Sequence, residues 1–102
     1  EKENSLEIST SDFNKYLNID SISLIDVRKD MEREHFNIGG EHIPLHLLQQ
    51  KLDIFKELDN IVLYCQVGQR SLIAAKMMLE KFPYKNIKSL RGGIEAWRKE
   101  QI

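Results

Sequence analysis

Ile61-Val62-Leu63-Tyr64-Cys65-Gln66-Val67-Gly68-Gln69-Arg70-Ser71 is the stretch from which the rest of the chain can be read. Ile61 to Tyr64 are apolar and mostly β-favouring, which is the signature of a buried strand. The chain's single cysteine, Cys65, sits where that strand ends. A short loop with one glycine follows. Ser71-Leu72-Ile73-Ala74-Ala75-Lys76-Met77-Met78-Leu79 then predicts a helix with Leu72, Ala75, Leu79 and Phe82 along one face. In an open α/β sheet, ligands bind beyond the carboxyl ends of strands, where loops become helix N-termini. A thiol there meets unpaired backbone N–H groups and the positive end of a helix dipole.

Working outward, the same alternation of strand and helix recurs. Leu6-Glu7-Ile8 alternates like a short strand, and Ser9-Thr10-Ser11-Asp12 offers capping hydroxyls and an early carboxylate for a helix carrying Phe13, Tyr16 and Leu17. Ile22-Ser23-Leu24-Ile25 predicts a second buried strand ending at Asp26-Val27-Arg28. Residues 29–36 are charged enough for an exposed helix, which Gly39-Gly40 terminates. His42-Ile43-Pro44-Leu45 predicts a brief strand stopped by Pro44. Leu45, Leu48, Leu52 and Phe55 mark one amphipathic helix running to Leu58. After Pro83, Asn86-Ile87-Lys88-Ser89-Leu90 supplies the last strand, and Gly92-Gly93 opens a terminal helix with Ile94 and Trp97. Such alternation implies right-handed crossovers. The expected fold is a three-layer α/β sandwich, with a central, mostly parallel sheet of about five short strands and helices on both faces.

Composition bounds the function. At 102 residues the chain is one domain, long enough to bury roughly 60–70% of its unfolded surface without disulfide or metal staples. A formal charge of −1 with mixed signs gives no basic field, so nucleic acid is not an expected partner. No apolar run approaches the ~20 residues that span a bilayer, so no membrane association is expected. One cysteine cannot close an internal disulfide, which fits a reducing, cytoplasmic setting. Residues 1–5 are polar and expected to be disordered or a linker, with the domain proper at residues 6–102. Because the chain opens without methionine, it reads as a piece of a longer protein.

An arbitrary buried cysteine is usually an inert hydrophobe. The context of Cys65 argues otherwise. A helix N-terminus and a nearby cation lower thiol pKa values below ~8.5. Gly68 permits the φ > 0 geometry through which successive N–H groups turn inward as an anion nest. Arg70 brings a permanent positive charge. These are the needs of a thiolate nucleophile or a persulfide anion, and the thiol is expected to be accessible as well as ionised in that cradle of main-chain donors.

Three segments together resemble the rhodanese-homology domain, a sulfurtransferase module. Leu24-Ile25-Asp26-Val27-Arg28 is similar to the family's aspartate-valine-arginine motif, with Glu32 where a glutamate often follows. Cys65-Gln66-Val67-Gly68-Gln69-Arg70-Ser71 resembles its active-site loop, and Leu90-Arg91-Gly92-Gly93-Ile94-Glu95-Ala96-Trp97 its closing motif. The resemblance implies a thiosulfate sulfurtransferase-like enzyme. Cys65 would accept sulfane sulfur as a persulfide, the amides of Gln66, Val67, Gly68, Gln69 and Arg70 would surround that sulfur, and no metal or organic cofactor would be needed. The donor would be thiosulfate or a persulfide protein such as a cysteine desulfurase. In place of the family's common glycine-histidine-isoleucine-proline-glycine-alanine, this chain reads Phe36-Asn37-Ile38-Gly39-Gly40-Glu41 before His42-Ile43-Pro44-Leu45. That variant resembles rhodanese domains fused behind E1-like adenylyltransferases of molybdopterin and thiamine biosynthesis. It implies a fused adenylyltransferase and a ubiquitin-like sulfur-carrier acceptor.

Phosphatase relatives of this fold have a cysteine–arginine spacing one residue longer, and the tighter ring here suits one sulfur atom rather than a phosphoryl group. The competing readings are a non-catalytic module that docks a partner or senses oxidants, and, behind it, a cysteine phosphatase. Asp26 is expected to anchor neighbouring amides and Arg28 to pair with Glu32 or Glu34. Gly92, Gly93 and Trp97 are expected to be structural. His42 and His46 are four apart, but Pro44 lies between them and prevents one helix from presenting both, so no metal site is expected.

Overall fold

Ile61, Val62, Leu63 and Tyr64 are each at most 3% exposed, the pattern of a strand covered on both faces. They belong to β4 (Asn60–Tyr64), the central strand of five. Around it lie β1 (Glu7–Ile8), β2 (Ser23–Asp26), β3 (Glu41–His42) and β5 (Asn86–Leu90). The order is β1-β5-β4-β2-β3, and all four pairings are parallel. The helices are α1 (Thr10–Ile19), α2 (Asp30–His35), α3 (Leu45–Leu48), α4 (Gln69–Lys81) and α5 (Gly93–Glu100). The computed structural model describes residues 6–19 and 22–101; the polar opening expected at residues 1–5 lies outside them. This is the expected α/β sandwich.

Period-two alternation along β4 divides the core into two layers. Ile61, Leu63 and Cys65 pack with Leu48, Leu52, Phe55, Ala74, Ala75 and Met78 on one face. Val62 and Tyr64 pack with Phe13 of α1 and Ile94 of α5 on the other. From β2 the chain moves outward to β3, whereas from β4 it moves the opposite way to β5. The connections therefore diverge between the carboxyl ends of β2 and β4, leaving a crevice there. Asp26 and Cys65 stand on its two sides, and Val27 N–H bonds the Tyr64 carbonyl across it at 3.1 Å.

Two local expectations are corrected. The buried stripe of α4 is Ser71, Ala74, Ala75 and Met78, with Leu72 and Leu79 only partly buried. Small residues let the helix lie close to β4 and β5, so the stripe follows size rather than hydrophobicity. The single helix expected over residues 45–58 is instead α3 followed by a 3₁₀ segment, Gln49–Phe55, with a kink at Lys51 (φ −113°, ψ 19°). Leu48, Leu52 and Phe55 are buried nonetheless. Spacings of three and four serve either winding, so the apolar pattern did not specify which one forms.

Phe55 is completely buried and seals one edge of the core beneath this 3₁₀ segment. Phe55→Ala should lower the unfolding free energy by about 3–5 kcal/mol, measured by urea titration.

Candidate functional site

Cys65 leaves β4 with its side chain fully buried. The loop then turns through Gly68, which has φ +100° at the N-terminus of α4. That conformation costs other residues strain but glycine little. It aims the Gly68 N–H at Cys65 Sγ at 3.1 Å, and the Ser71 N–H reaches the same sulfur at 3.3 Å. Ser71 Oγ lies 3.5 Å from the sulfur, 2.7 Å from Ser89 Oγ and 3.3 Å from the Gly68 carbonyl that it bonds. Two backbone N–H donors therefore face the sulfur, which itself donates to Ser71 Oγ. The sulfur was expected to be accessible; it is instead enclosed by the loop, with amides facing it.

The loop's carbonyls face the other way, onto α5. Ile94 N–H donates to the Cys65 carbonyl at 2.9 Å and Glu95 N–H to that of Gln66 at 3.1 Å. Gly93 makes this docking possible. It has φ +63°, and a Cβ there would run into the Cys65 and Gln66 carbonyls.

Asp26 and Arg28 form the β2 side of the crevice, both at most 2% exposed. Arg28 Nε and Nη2 donate to the two Asp26 oxygens, each at 2.9 Å, and the Arg28 backbone N–H donates to Oδ1 at 3.0 Å. Nη2 also reaches the Phe36 carbonyl at 2.6 Å and Nη1 the Gln66 side-chain oxygen at 3.3 Å. Burial pushes the Asp26 carboxyl up, but the hydrogen bonds and charge of Arg28, with Arg33, outweigh it and hold the group below its ordinary range. The expected partner of Arg28, Glu32 or Glu34, is thus replaced by Asp26. Glu32 belongs to Arg70 instead, in a two-pronged pair at 2.7 and 2.8 Å. The Arg70 hydrogen bonds, against opposing burial, hold Glu32 down from 4.5 to about 2. Arg70 is raised in turn, first by the same hydrogen bonds and against opposing burial. Tyr64 is pushed up to about 12, chiefly by burial and then by Asp26. It stays protonated and donates to the Gly39 carbonyl at 2.8 Å.

A cavity of about 330 Å³ opens beside the loop, lined by Arg28, Glu32, Phe36, Gln66, Ile94 and Arg98 among others. Larger depressions, such as one of about 530 Å³ beside β1 and α1, lie away from Cys65. Among the described residues no three His, Cys, Asp or Glu side chains are grouped as a metal site. No described helix is long and apolar enough to cross a membrane.

The rhodanese-like domain model matches residues 9–100. The chain belongs to the rhodanese-like family. YrkF of Bacillus subtilis, assigned by name to the sulfur carrier proteins, is 33% identical over 93 residues, covering 89% of this chain and 50% of that protein. The adenylyltransferase and sulfurtransferase UBA4 of Debaryomyces hansenii is 28% identical over 93% of this chain and 24% of its own length. The domain thus spans half or less of both relatives. Among solved structures, a rhodanese-related protein of Thermoplasma volcanium superposes with a TM-score of 0.76 at 27% identity, covering 92% of this chain and 91% of that one.

Of the five loop residues whose amides are expected around the sulfur of this rhodanese-like domain, Gly68 brings its N–H to Sγ at 3.1 Å. As for side chains, Gln66 faces Arg28, Val67 is 48% exposed, Gln69 is exposed and Arg70 faces Glu32. Ser71 and Ser89 escaped the sequence reading, since a buried serine carries no periodic signal. The grip of Gly93 and α5 on the loop was legible only as a tight turn.

Because Glu32 has a depressed pKa, its pairing stabilises the fold fully above its unfolded value of 4.5 and loses that effect as pH falls toward about 2. Wild type should exceed Glu32→Gln in urea stability by about 1 kcal/mol at neutral pH, discounted for the pair's partial exposure. The difference should shrink steadily as the titrations are repeated at lower pH; a difference that grew in acid would contradict the assignment.

Proposed function

We propose that this rhodanese-like domain is a sulfurtransferase carrying sulfane sulfur as a persulfide on Cys65, with Gln66, Val67, Gly68, Gln69 and Arg70 forming the substrate-binding loop. The observation that carries the reading is the convergence of the Gly68 and Ser71 N–H groups on Cys65 Sγ. Preorganised main-chain donors stabilise negative charge on sulfur without having to reorient during reaction. In the first half-reaction the Cys65 thiolate attacks the outer sulfur of a donor. The donor's S–S bond breaks, and sulfite, or the donor's own thiolate, leaves with the electron pair. In the second, an acceptor nucleophile attacks the outer sulfur of Cys65–S–S⁻ and the Cys65 thiolate is regenerated. The oxidation level is conserved across the pair, so no external redox partner enters.

The relatives support the setting. One is named as a sulfur carrier protein, and another couples an adenylyltransferase with a sulfurtransferase. We accordingly place this domain in a cytoplasmic sulfur relay. A persulfide protein such as a cysteine desulfurase, or thiosulfate, would be the donor, and a small sulfur-carrier protein the acceptor. An adenylyltransferase, fused or separate, would activate that carrier. The complete burial of Cys65 favours a second reading, a binding module without turnover. Sulfur uptake decides between them.

Incubation with thiosulfate or polysulfide should add one sulfur atom to the intact mass, and cyanide should then release thiocyanate. Cys65→Ser should do neither. Sulfur uptake that survives this substitution would refute the role of Cys65, and wild type that gains no sulfur from any donor would establish the binding module.

A further inference from the structure

We infer that Glu32 is a specificity residue of this site: it occupies Arg70 so that the crevice disfavours the thiosulfate dianion and selects persulfide donors of the R–S–SH class. The inference rests on the sulfurtransferase reading and concerns which donor that site accepts.

Where the cations near the loop point decides what anion they can hold. Arg70 is the only charged residue in the cysteine loop, and it presents both terminal nitrogens to the two oxygens of Glu32 at 2.7 and 2.8 Å. That fork-to-fork geometry is the one an incoming oxyanion would need. The carboxylate is itself fixed, because Lys29 N–H donates to Glu32 Oε1 at 3.0 Å at the start of α2. Arg28, the other arginine reaching the loop, is bound to both oxygens of Asp26, to Phe36 O and to Gln66. Arg33 is turned to Asp26 and to the carbonyls of Gly39 and Gly40. Arg98 lies on the outer wall, its guanidinium 4.5 Å over the Phe36 ring.

A thiosulfate dianion entering this mouth would meet the Glu32 carboxylate and would have to break its pair to reach Arg70. Glu32 remains ionised down to about 2, so no ordinary assay pH removes the obstacle. The rim offers apolar contact instead. Met31 is 82% exposed and Val67 48% exposed, while Phe36 and Ile94 line the adjoining cavity. Such a rim suits the carbon-bearing part of a thiol persulfide, whose small charge a single outer cation can match.

The test compares thiosulfate with cysteine persulfide as donors to wild type, Glu32→Gln and the double variant Glu32→Gln/Arg70→Gln, at low ionic strength. Glutamine keeps a hydrogen bond to Arg70 while removing the charge. A dianion within a few ångströms of a freed guanidinium in water-like surroundings gains about a tenfold preference. The thiosulfate-to-persulfide ratio of kcat/KM should therefore rise about tenfold in Glu32→Gln, through thiosulfate KM. The gain should fade as salt is raised and vanish in the double variant. A ratio unchanged in folded Glu32→Gln, or an equal rise for both donors, overturns the inference while leaving the sulfurtransferase reading intact. Wild type that takes sulfur from neither donor overturns the reading itself. Should Glu32→Gln fail to fold, wild type still decides: a paired Arg70 predicts a thiosulfate KM that moves less than about twofold with salt, and a steep dependence overturns the inference.

Discussion

A loop that turns its N–H groups inward must send its C=O groups outward, and buried carbonyls need partners. Here the partners are the first free N–H groups of α5. Ile94 and Glu95 bond the carbonyls of Cys65 and Gln66, so the orphan donors of one helix terminus satisfy the orphan acceptors of a neighbouring loop. The amides of Gly68 and Ser71 are thereby left to face Cys65 Sγ. Gly93 is required because the contact is backbone against backbone, with no room for a side-chain carbon. The last helix is thus the outer support of the cysteine loop, although some thirty residues of chain separate them.

The buried Asp26–Arg28 pair plays a corresponding part on the opposite side of the crevice. An isolated buried ion pair is weak evidence for stability, since desolvation offsets much of the attraction. This pair is not isolated. Arg28 reaches Phe36 and Gln66, Arg33 adds to Asp26, and Arg28 sits 5.6 Å from the Tyr64 ring centre. Its bonds join the end of β2, the segment after α2 and the cysteine loop. What it contributes is relative position: the loop cannot shift against β2 without leaving Gln66 or the guanidinium short of a partner.

How much of this was legible in the sequence depended on the kind of signal. Strands buried on both faces announce themselves by unbroken apolar runs, so β4 and its loop could be read from Ile61 to Ser71. Helix winding over residues 45–58 could not, because Leu48, Leu52 and Phe55 are buried in either helix type. Charged partners were the least legible. Asp26, only two residues from Arg28 and nearer than Glu32 or Glu34, takes that guanidinium at the strand end, which leaves Glu32 for Arg70, 38 residues away. The Glu32–Arg70 pairing is decided by tertiary geometry that local spacing does not encode. Ser71 and Ser89 went unread for the same reason, since their 2.7 Å contact depends on how α4 packs on β5.

These arrangements bear on why a sulfur atom suits the site. The guanidiniums in the loop, at the end of β2 and on α2 beside it each have a carboxylate, Asp26 for Arg28 and Arg33 and Glu32 for Arg70, while Arg98 on the outer wall lies over the Phe36 ring. What remains pointed at Cys65 is a pair of dipoles, two backbone N–H groups at the N-terminus of a 13-residue helix, while the thiol itself donates to Ser71 Oγ. Dipoles fixed by the backbone act over short range on the atom they enclose, whereas free guanidiniums would draw in doubly charged oxyanions from a distance. The persulfide we propose would concentrate little charge on one polarisable atom, which two close N–H donors match. A tetrahedral oxyanion spreads more charge over several oxygens and needs a wider ring with an unpaired cation. In this loop two N–H groups already face one sulfur, and the Arg70 cation is already held by Glu32.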